Sequence, residues 1–202
     1  MKTRTFAIGM TGLALCAGLA LWSWRQLQKQ PEPPPTPKAA PILGTVPEFA
    51  LTDHRHQPFG HKDMDGRITV VNTFFTSCAT ICPRLMGKVA GLQTALPSGV
   101  QLLSITVDAE NDTPDVLAAY APTVGVTSKR WRLVTGDDQE TRQLVVNGFQ
   151  TAMGKPEVQG RIREITHSGK LYVVDRDRQI RGYFSTDPAG LEALQATVLS
   201  LL

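Results

Sequence analysis

Cysteine is scarce in this chain: its 202 residues contain three, Cys16, Cys78 and Cys82. Cys16 falls inside an apolar N-terminal stretch, so the part of the sequence that can build a core has only Cys78 and Cys82. One pair of thiols cannot form the network of disulfides that holds a small secreted domain together. A disulfide framework is therefore excluded, and the single pair has to be judged by its surroundings.

An excess of positive charge is missing from most of the chain. The net charge of +3 arises at the N-terminus, where the first 45 residues hold five Lys or Arg and one Glu. The remaining 157 residues hold sixteen Lys or Arg and seventeen Asp or Glu, which leaves them near −1. Such a domain has no basic field for nucleic acid. Internal repeats are also absent, and the length suits one core-forming domain with additional segments.

One long apolar run is present, at residues 6–24, with Lys2 and Arg4 before it and Arg25 directly after it. Nineteen residues without a charge are close to what spans the hydrocarbon core of a bilayer. Trp22 and Trp24 fall where an interfacial aromatic belt would lie. We expect a single N-terminal transmembrane signal anchor over residues 6–24, preceded by a cytoplasmic stub over residues 1–5.

Two alternatives to an uncleaved anchor stay open. The run could be a signal peptide that is cleaved near the small residues Gly18 and Ala20. It could also carry a lipid on Cys16, although Leu15 is large for the preceding position and the apolar run continues well beyond it. Residues 25–45 then contain six prolines and few large apolar side chains, which favours an extended linker. We expect the domain, residues 46–202, to lie outside the cytoplasm.

The order of apolar segments in residues 46–202 predicts an α/β domain. A polar turn between 49–51 and 58–59 predicts an N-terminal β-hairpin, and strands are expected over 69–75, 100–107, 130–134, 171–174 and 179–184. Helices are expected over 84–96, from Pro114 to about residue 121, from 137 or 138 to about 149, and after Pro188. Residues 150–165 are polar and are expected to form an inserted loop or hairpin. The final hairpin and helix favour a thioredoxin-like sheet.

Cys78 and Cys82 are separated by three residues and lie between the apolar strand 69–75 and a helix that begins near Pro83. A thioredoxin-type redox motif has two intervening residues, and the wider loop lets both sulfurs point at one guest atom. A soft ion such as Cu(I) suits two thiolates. Cys82 is expected at a helix N-terminus, where the macrodipole would lower its pKa. A structural disulfide or two buried thiols is the alternative.

Four histidines follow or precede this pair: His54, His56, His61 and His167. The first three lie in turn-like sequence before the core strand and are expected to be solvated, although His54 and His56 could form a weak surface metal site. His167 lies just before a core strand that should pass beside the cysteine loop. The residues alone leave it open whether His167 is a ligand or a structural side chain.

The chain resembles the Sco/SenC family over residues 46–202. The resemblance is carried by three segments: Thr76-Ser77-Cys78-Ala79-Thr80-Ile81-Cys82-Pro83, Asp108 to Thr113-Pro114, and His167-Ser168 leading to Tyr172-Val173-Val174-Asp175. Members of that family are membrane-anchored copper-binding proteins that serve the dinuclear copper centre of cytochrome c oxidase. The resemblance implies that Cys78, Cys82 and His167 are copper ligands. It also implies a bacterial inner-membrane protein, single-pass, with its soluble domain in the periplasm.

The chain departs from the family pattern in its cysteine loop. Members often have Pro and then an acidic residue after the first Cys, where this chain has Ala79 and Thr80, and Asp108 is followed by Ala109 rather than Pro. These changes bear on affinity and redox tuning. By the resemblance, the partner is cytochrome c oxidase subunit two or a related copper protein, with other periplasmic copper chaperones as further partners.

The chemistry of the implied ligands favours Cu(I), since two thiolates and one neutral imidazole give a trigonal site. Cu(II) is the other oxidation state and would need a fourth ligand, such as water or Asp108. The main alternative function is a thiol–disulfide reductase that keeps a target's cysteines reduced. Residues 160–167 contain no proline, whereas thioredoxin-type enzymes have a cis-proline there. A peroxidase-like thiol enzyme and a structural domain are weaker alternatives.

Overall fold

The computed structural model describes residues 22–24, 40–78, 82–159 and 162–202. The chain divides into two compact units, Met1–Lys38 and Ala39–Leu202. The expected membrane segment lies outside the described residues except for 22–24, and most of the expected linker lies outside them as well. Within the described ranges, no helix is both long enough and apolar enough to cross a membrane.

The second unit alternates strands with helices. Its described strands are β1 (Gly44–Thr45), β2 (Ala50–Asp53), β3 (Pro58–Gly60), β4 (Thr69–Phe74), β5 (Gln101–Thr106), β6 (Trp131–Thr135), β7 (Glu157–Gln159), β8 (Ile162–Glu164), β9 (Leu171–Val174) and β10 (Gln179–Phe184). Its described α-helices are α1 (Cys82–Ala95), α2 (Pro114–Thr123), α3 (Asp138–Gln143) and α4 (Pro188–Ser200). One 3₁₀ turn covers His61–Asp63, and a π-helical turn, Leu144–Gly148, continues α3.

Eight of these strands form one mixed sheet in the order β1-β10-β9-β4-β5-β6-β2-β3. β4, β5 and β6 are parallel neighbours connected by α1 and α2, whereas β9 runs antiparallel to β4. Strands that are parallel need crossover connections, and the helices supply them. The sheet therefore has an α/β centre with antiparallel strands at both edges. β7 and β8 pair in a separate two-stranded sheet.

The centre of the sheet is where the core lies and where the cysteines are positioned. Every residue of β4 and of β5 is buried, as expected for strands covered on both faces. α1 packs through an apolar face that includes Leu85, Val89 and Leu92, all 3% exposed or less. The loop from β4 to α1 leaves the carboxyl end of the central strand, which is the edge where open α/β sheets bind ligands.

The element order predicted from the sequence is confirmed. The N-terminal hairpin forms from β2 and β3 and joins the sheet through β6, and residues 157–164 form the inserted hairpin. Three helices begin behind the expected caps: the side chains of Thr113, Asp137 and Asp187 accept hydrogen bonds from backbone N–H groups in the first turn. These local signals are short-range, so the sequence contains them in full.

The boundary between linker and domain differs from the expectation. Residue 45 was expected to end the linker, but β1 pairs with β10, and Leu43 N–H donates to the Ile180 carbonyl at 2.8 Å. Arg181 Nη1 also donates to the Ala40 carbonyl at 2.8 Å. The domain therefore includes residues from about 40 onward. A strand of two residues is too short to show periodicity, and Gly44 pairs with Ile180, 136 residues further along the chain, so the local sequence does not predict β1.

Candidate metal centre

Cys78 lies in the loop that leaves β4. Its side chain is 8% exposed, and its Sγ accepts a hydrogen bond from the backbone N–H of Cys82 at 3.4 Å. The first amide of α1 therefore points at the sulfur of Cys78. Since the N-terminal N–H groups of a helix favour an anion, Cys78 is the thiol that this helix end can stabilise as a thiolate.

Cys82 is the first residue of α1 and is completely buried. Burial raises the pKa of the Cys82 thiol, the hydrogen bond with the Cys78 side chain raises it further, and the negative charge of Asp112 adds to the effect. The expectation of a lowered pKa at Cys82 is therefore wrong. A helix N-terminus lowers a thiol pKa only where the sulfur itself faces the amides and stays partly solvated.

His167 lies 85 residues after Cys82 in the sequence and contacts it in the fold. The Nε2 atom of His167 lies 3.6 Å from the Sγ atom of Cys82. Edge-on packing against Phe75, with ring centroids 5.4 Å apart and planes at 78°, fixes the ring. The following residue is held as well, because Thr73 on β4 donates to the Ser168 carbonyl at 3.1 Å. β4 therefore positions both the cysteine loop and the histidine.

The second nitrogen of His167 identifies its tautomer. Nδ1 lies 2.7 Å from the carbonyl oxygen of Ile165, and a carbonyl can only accept. Nδ1 therefore carries the proton, and Nε2 presents its lone pair toward Cys82. Burial lowers the pKa of His167, although the bond to Ile165 opposes this shift. The ring is thus held neutral with Nε2 available, which is the form that binds a metal ion.

The structure places Cys78 and His167 each in contact with Cys82. Both cysteines are thiols rather than a disulfide. Among the residues described, which omit 79–81 of the cysteine loop, no group of three or more His, Cys, Asp or Glu side chains is arranged to hold a metal ion. The ligand set Cys78, Cys82 and His167 accordingly stays a prediction.

Asp112 is the site residue that the sequence did not single out. It is 1% exposed and precedes α2 by two residues. Its carboxylate accepts the Thr76 backbone N–H at 3.0 Å and the hydroxyl groups of Thr76 and Thr106. It thereby ties the start of the cysteine loop to the end of β5. Burial raises the pKa of Asp112, while these hydrogen bonds oppose the shift. The family segment from Asp108 to Pro114 contains it, but no local pattern indicates its contact.

Tyr120 is a second group that sequence reasoning missed. It stacks on Phe74, with centroids 5.7 Å apart and planes at 12°. Burial raises the pKa of Tyr120 to about 12, and the charges of Cys82, Cys78 and Asp112 contribute. The phenol is therefore a neutral group beside the thiols. Asp108, which was one candidate beside water for a fourth ligand of Cu(II), is buried, and its carboxylate accepts a hydrogen bond from the Asn111 side-chain amide at 2.9 Å.

The three N-terminal histidines are not all solvated. His54 is 7% exposed, and its Nδ1 accepts the Leu133 N–H at 3.2 Å, so the expectation of a solvated loop residue is wrong there. His61 is partly buried against Phe49. His56 is exposed and lies 3.3 Å from Asp115. The turn was recognised from its polar residues, but the sequence did not show that β6 would cover one side of it.

Fold and site together define a class: a thioredoxin-like domain with a Cys-x-x-x-Cys pair at the start of its first helix and a distant histidine beside the second cysteine. A family model described as SCO1/SenC matches residues 38–201. The chain belongs to the SCO1/SenC family.

Relatives of known sequence or structure agree with this assignment. A putative copper-binding protein of Stutzerimonas stutzeri is 29% identical over 170 residues, which cover 80% of this chain and 79% of that protein. The crystal structure of a SCO1/SenC family lipoprotein from Bacillus anthracis matches with a TM-score of 0.71 at 27% identity, over 80% of this chain and 96% of that one. ScoI of Bradyrhizobium japonicum, solved with copper bound, matches in fold with a TM-score of 0.66 at 21% identity, over 79% and 100%.

Proposed function

We propose that this protein is a copper chaperone of the Sco/SenC type, which binds copper through Cys78, Cys82 and His167. The observation that carries the proposal is the distance of 3.6 Å between His167 Nε2 and Cys82 Sγ. The Sγ atom of Cys78 lies beside them, because it accepts a hydrogen bond from the backbone N–H of Cys82. Two sulfurs and one imidazole nitrogen are a soft donor set, as Cu(I) prefers. The copper-binding relative in Stutzerimonas stutzeri supports the same metal.

The protonation states of the three side chains fit a metal that is taken up and handed on. The His167 ring is neutral and its Nε2 lone pair is already directed to the site. The Cys82 thiol holds its proton, since burial raises its pKa, so copper has to displace that proton on binding. On release to a partner's thiols, each thiol that binds copper would lose a proton, and one of these protons restores the Cys82 thiol. Cu(I) is the preferred state, and Cu(II) would need a fourth ligand.

We further propose the dinuclear copper centre of cytochrome c oxidase subunit two as the recipient, on the ground of family membership. The protein would be held at the bacterial inner membrane by residues 6–24, with its domain in the periplasm. The Bacillus anthracis relative is a lipoprotein, which keeps lipid attachment at Cys16 as an alternative. Mass spectrometry of the mature N-terminus separates the outcomes: an intact chain supports the anchor, and a chain that begins near residue 21 or at a lipidated Cys16 contradicts it.

A thiol–disulfide reductase is the second candidate function. Both sulfurs are thiols, and they lie close enough for a hydrogen bond between their side chains. Such an enzyme needs an accessible thiolate to attack the target's disulfide. Cys82 is fully buried and its pKa is raised, which leaves Cys78 as the attacking thiol. Cys78 is only 8% exposed as well, so a target disulfide has little access to either sulfur, and the pair is better suited to holding a metal than to rapid exchange.

Cu(I) binding by the full chain tests the proposal. Competition with a chromophoric Cu(I) chelator should give one copper per chain in the wild type. Cys78→Ser or Cys82→Ser should abolish tight binding, and His167→Ala should weaken it about tenfold or more while the domain stays folded. His56→Asn is the matched control, because His56 is exposed and has a positive φ of 60° that Asn tolerates. Equal affinity in the wild type and His167→Ala would remove His167 from the site.

A further inference from the structure

A polar cavity of about 120 Å³ lies at the other end of the sheet from the thiols. Its wall includes Gln101, the first residue of β5, and Arg130, which directly precedes β6. β4, β5 and β6 are parallel, and Cys78 follows the carboxyl end of β4. Since six residues of strand span about 20 Å, the cavity is a separate site from the cysteine cluster.

The cavity is strongly positive. Four of the described residues that line it are cations, Arg67, Lys129, Arg130 and Arg132, whereas Asp63 is the one acid among those lining residues. One carboxylate oxygen of Asp63, Oδ2, already accepts a hydrogen bond from the Gly60 N–H at 2.8 Å.

Arg130 contributes positive charge to the cavity, while its N–H groups are bonded to backbone carbonyls. Its guanidinium donates to the carbonyls of Pro97 and Val100 at 2.8 Å each, to that of Leu96 at 3.2 Å, and to that of Gln93. These acceptors are dipoles at the end of α1 and in the loop that follows it, so they orient the guanidinium without neutralising it. The positive charge of Arg130 is therefore fixed at the cavity wall. An anion that enters finds this charge already in place and incurs no cost of ordering it.

Arg132 has a buried hydrogen-bond donor without an acceptor among the described residues. Its Nη1 forms a salt bridge with Asp53, which is completely buried, and its guanidinium lies 5.9 Å from the centroid of the Phe59 ring. Its Nε, however, is buried and has no hydrogen-bond acceptor among the described residues. A buried donor without a partner is unfavourable, because it has lost its hydration and gained no hydrogen bond in return. Arg67 and Lys129 are exposed, so their side chains can turn toward a ligand.

We propose that this cavity is an anion site that binds a phosphate group, supplied either as free phosphate or as the headgroup of an anionic phospholipid. The exposed side chains of Arg67 and Lys129 can turn toward a ligand there, and the planar fork of Arg matches the oxygens of a phosphate. A space of 120 Å³ holds several water molecules, and hence a tetrahedral oxyanion. The site is independent of the copper proposal, because its residues are shared with none of the three predicted ligands.

Calorimetric titration of the full chain with inorganic phosphate, in neutral detergent at low ionic strength, tests the site. Saturable one-site binding is expected, with a Kd that rises about tenfold or more in Arg67→Gln/Lys129→Gln. Arg84→Gln/Lys88→Gln is the matched control, since it removes two exposed cations of α1 that do not line the cavity. Its Kd should stay within about twofold of the wild type. An absence of binding in the wild type, or equal losses in both double variants, would overturn the proposal.

A second measurement needs no variant and identifies the source of the phosphate. Acetylation of Lys129 in the wild-type chain is followed by mass spectrometry, with Lys88 as the internal reference. Slower acetylation of Lys129 alone on adding phosphate indicates the free ion. Slower acetylation in micelles with phosphatidylglycerol, but not in micelles with phosphatidylcholine, indicates a lipid headgroup. If neither addition protects Lys129 relative to Lys88, the cavity does not bind phosphate.

Discussion

The carboxylate of Asp112 accepts two hydrogen bonds from Thr76, one from its backbone N–H at 3.0 Å and one from its side-chain hydroxyl. Thr76 lies two residues before Cys78, and Asp112 lies two residues before α2. One buried side chain therefore connects the loop that carries the first cysteine to the connection between β5 and α2. Because the loop to α1 has no regular structure before Cys78, this contact is its main described tether.

Asp112→Ala should therefore destabilise the domain and loosen the cysteine loop. The substitution leaves buried donors on Thr76 and Thr106 without their acceptor. This loss should lower the free energy of unfolding by about 3 kcal/mol. Asp112→Asn keeps one acceptor oxygen and should lose less. Urea unfolding measures both variants, with Glu192→Ala, an exposed substitution on α4, as the control. The Cu(I) affinity of Asp112→Ala should fall about tenfold; an unchanged affinity would mean that Asp112 stabilises the fold without positioning Cys78.

Copper and the disulfide should exclude each other. Cys78 and Cys82 are thiols whose side chains hydrogen-bond, so a mild oxidant should join them in the metal-free protein. The same two sulfurs cannot bind Cu(I) and each other at once, and copper should slow the oxidation. Counting thiols by alkylation, with and without Cu(I), measures the effect. Equal rates of disulfide formation would place the metal elsewhere and favour the reductase function.

Cys82 should react slowly with alkylating reagents at neutral pH. Burial raises the pKa of its thiol above the ordinary value of 9.0, so the folded protein keeps the proton and denies the reagent access. The stabilising effect of the protonated thiol is present below pH 9.0 and is lost as the pH rises above that value. Iodoacetamide labelling of the metal-free chain at pH 7.5, followed by mass spectrometry, should be faster at Cys78 than at Cys82, and the difference should vanish in denaturant. Equal rates in the folded chain would contradict the assignment.

His54→Ala should destabilise the hairpin end of the sheet. The Leu133 N–H loses its acceptor and a buried ring is removed. Together these losses should lower the free energy of unfolding by about 2 kcal/mol or more. Burial, and then the positive charge of Arg55, lower the pKa of His54 below 6.5. The unfolded chain therefore takes up a proton first, so the contribution of His54 is complete above pH 6.5 and is lost as the pH falls below it. The unfolding free energies of wild type and variant should converge toward acid pH, and a constant difference across this range would contradict the assignment.

Much of the fold could be predicted because its signals are local. β9 and β10 have the bounds that the sequence predicted, and the caps at Thr113, Asp137 and Asp187 form as expected. The predicted boundary between linker and domain was wrong because it depends on pairing with a distant strand. β1 exists because β10 offers an edge, and no property of residues 44–45 indicates that.

The sequence by itself determined the chemistry available to the site: one pair of thiols at a strand-to-helix junction and one histidine before a core strand. The tertiary structure decided how those groups are protonated. It buried the Cys82 thiol completely, placed the charge of Asp112 near it, and brought it within 3.6 Å of His167 Nε2. A pKa depends on desolvation and on neighbouring dipoles within a few ångströms. Asp112, whose charge helps to raise the pKa of Cys82, lies 30 residues further along the chain, and His167 lies 85 residues from Cys82, so only folding could bring these groups together.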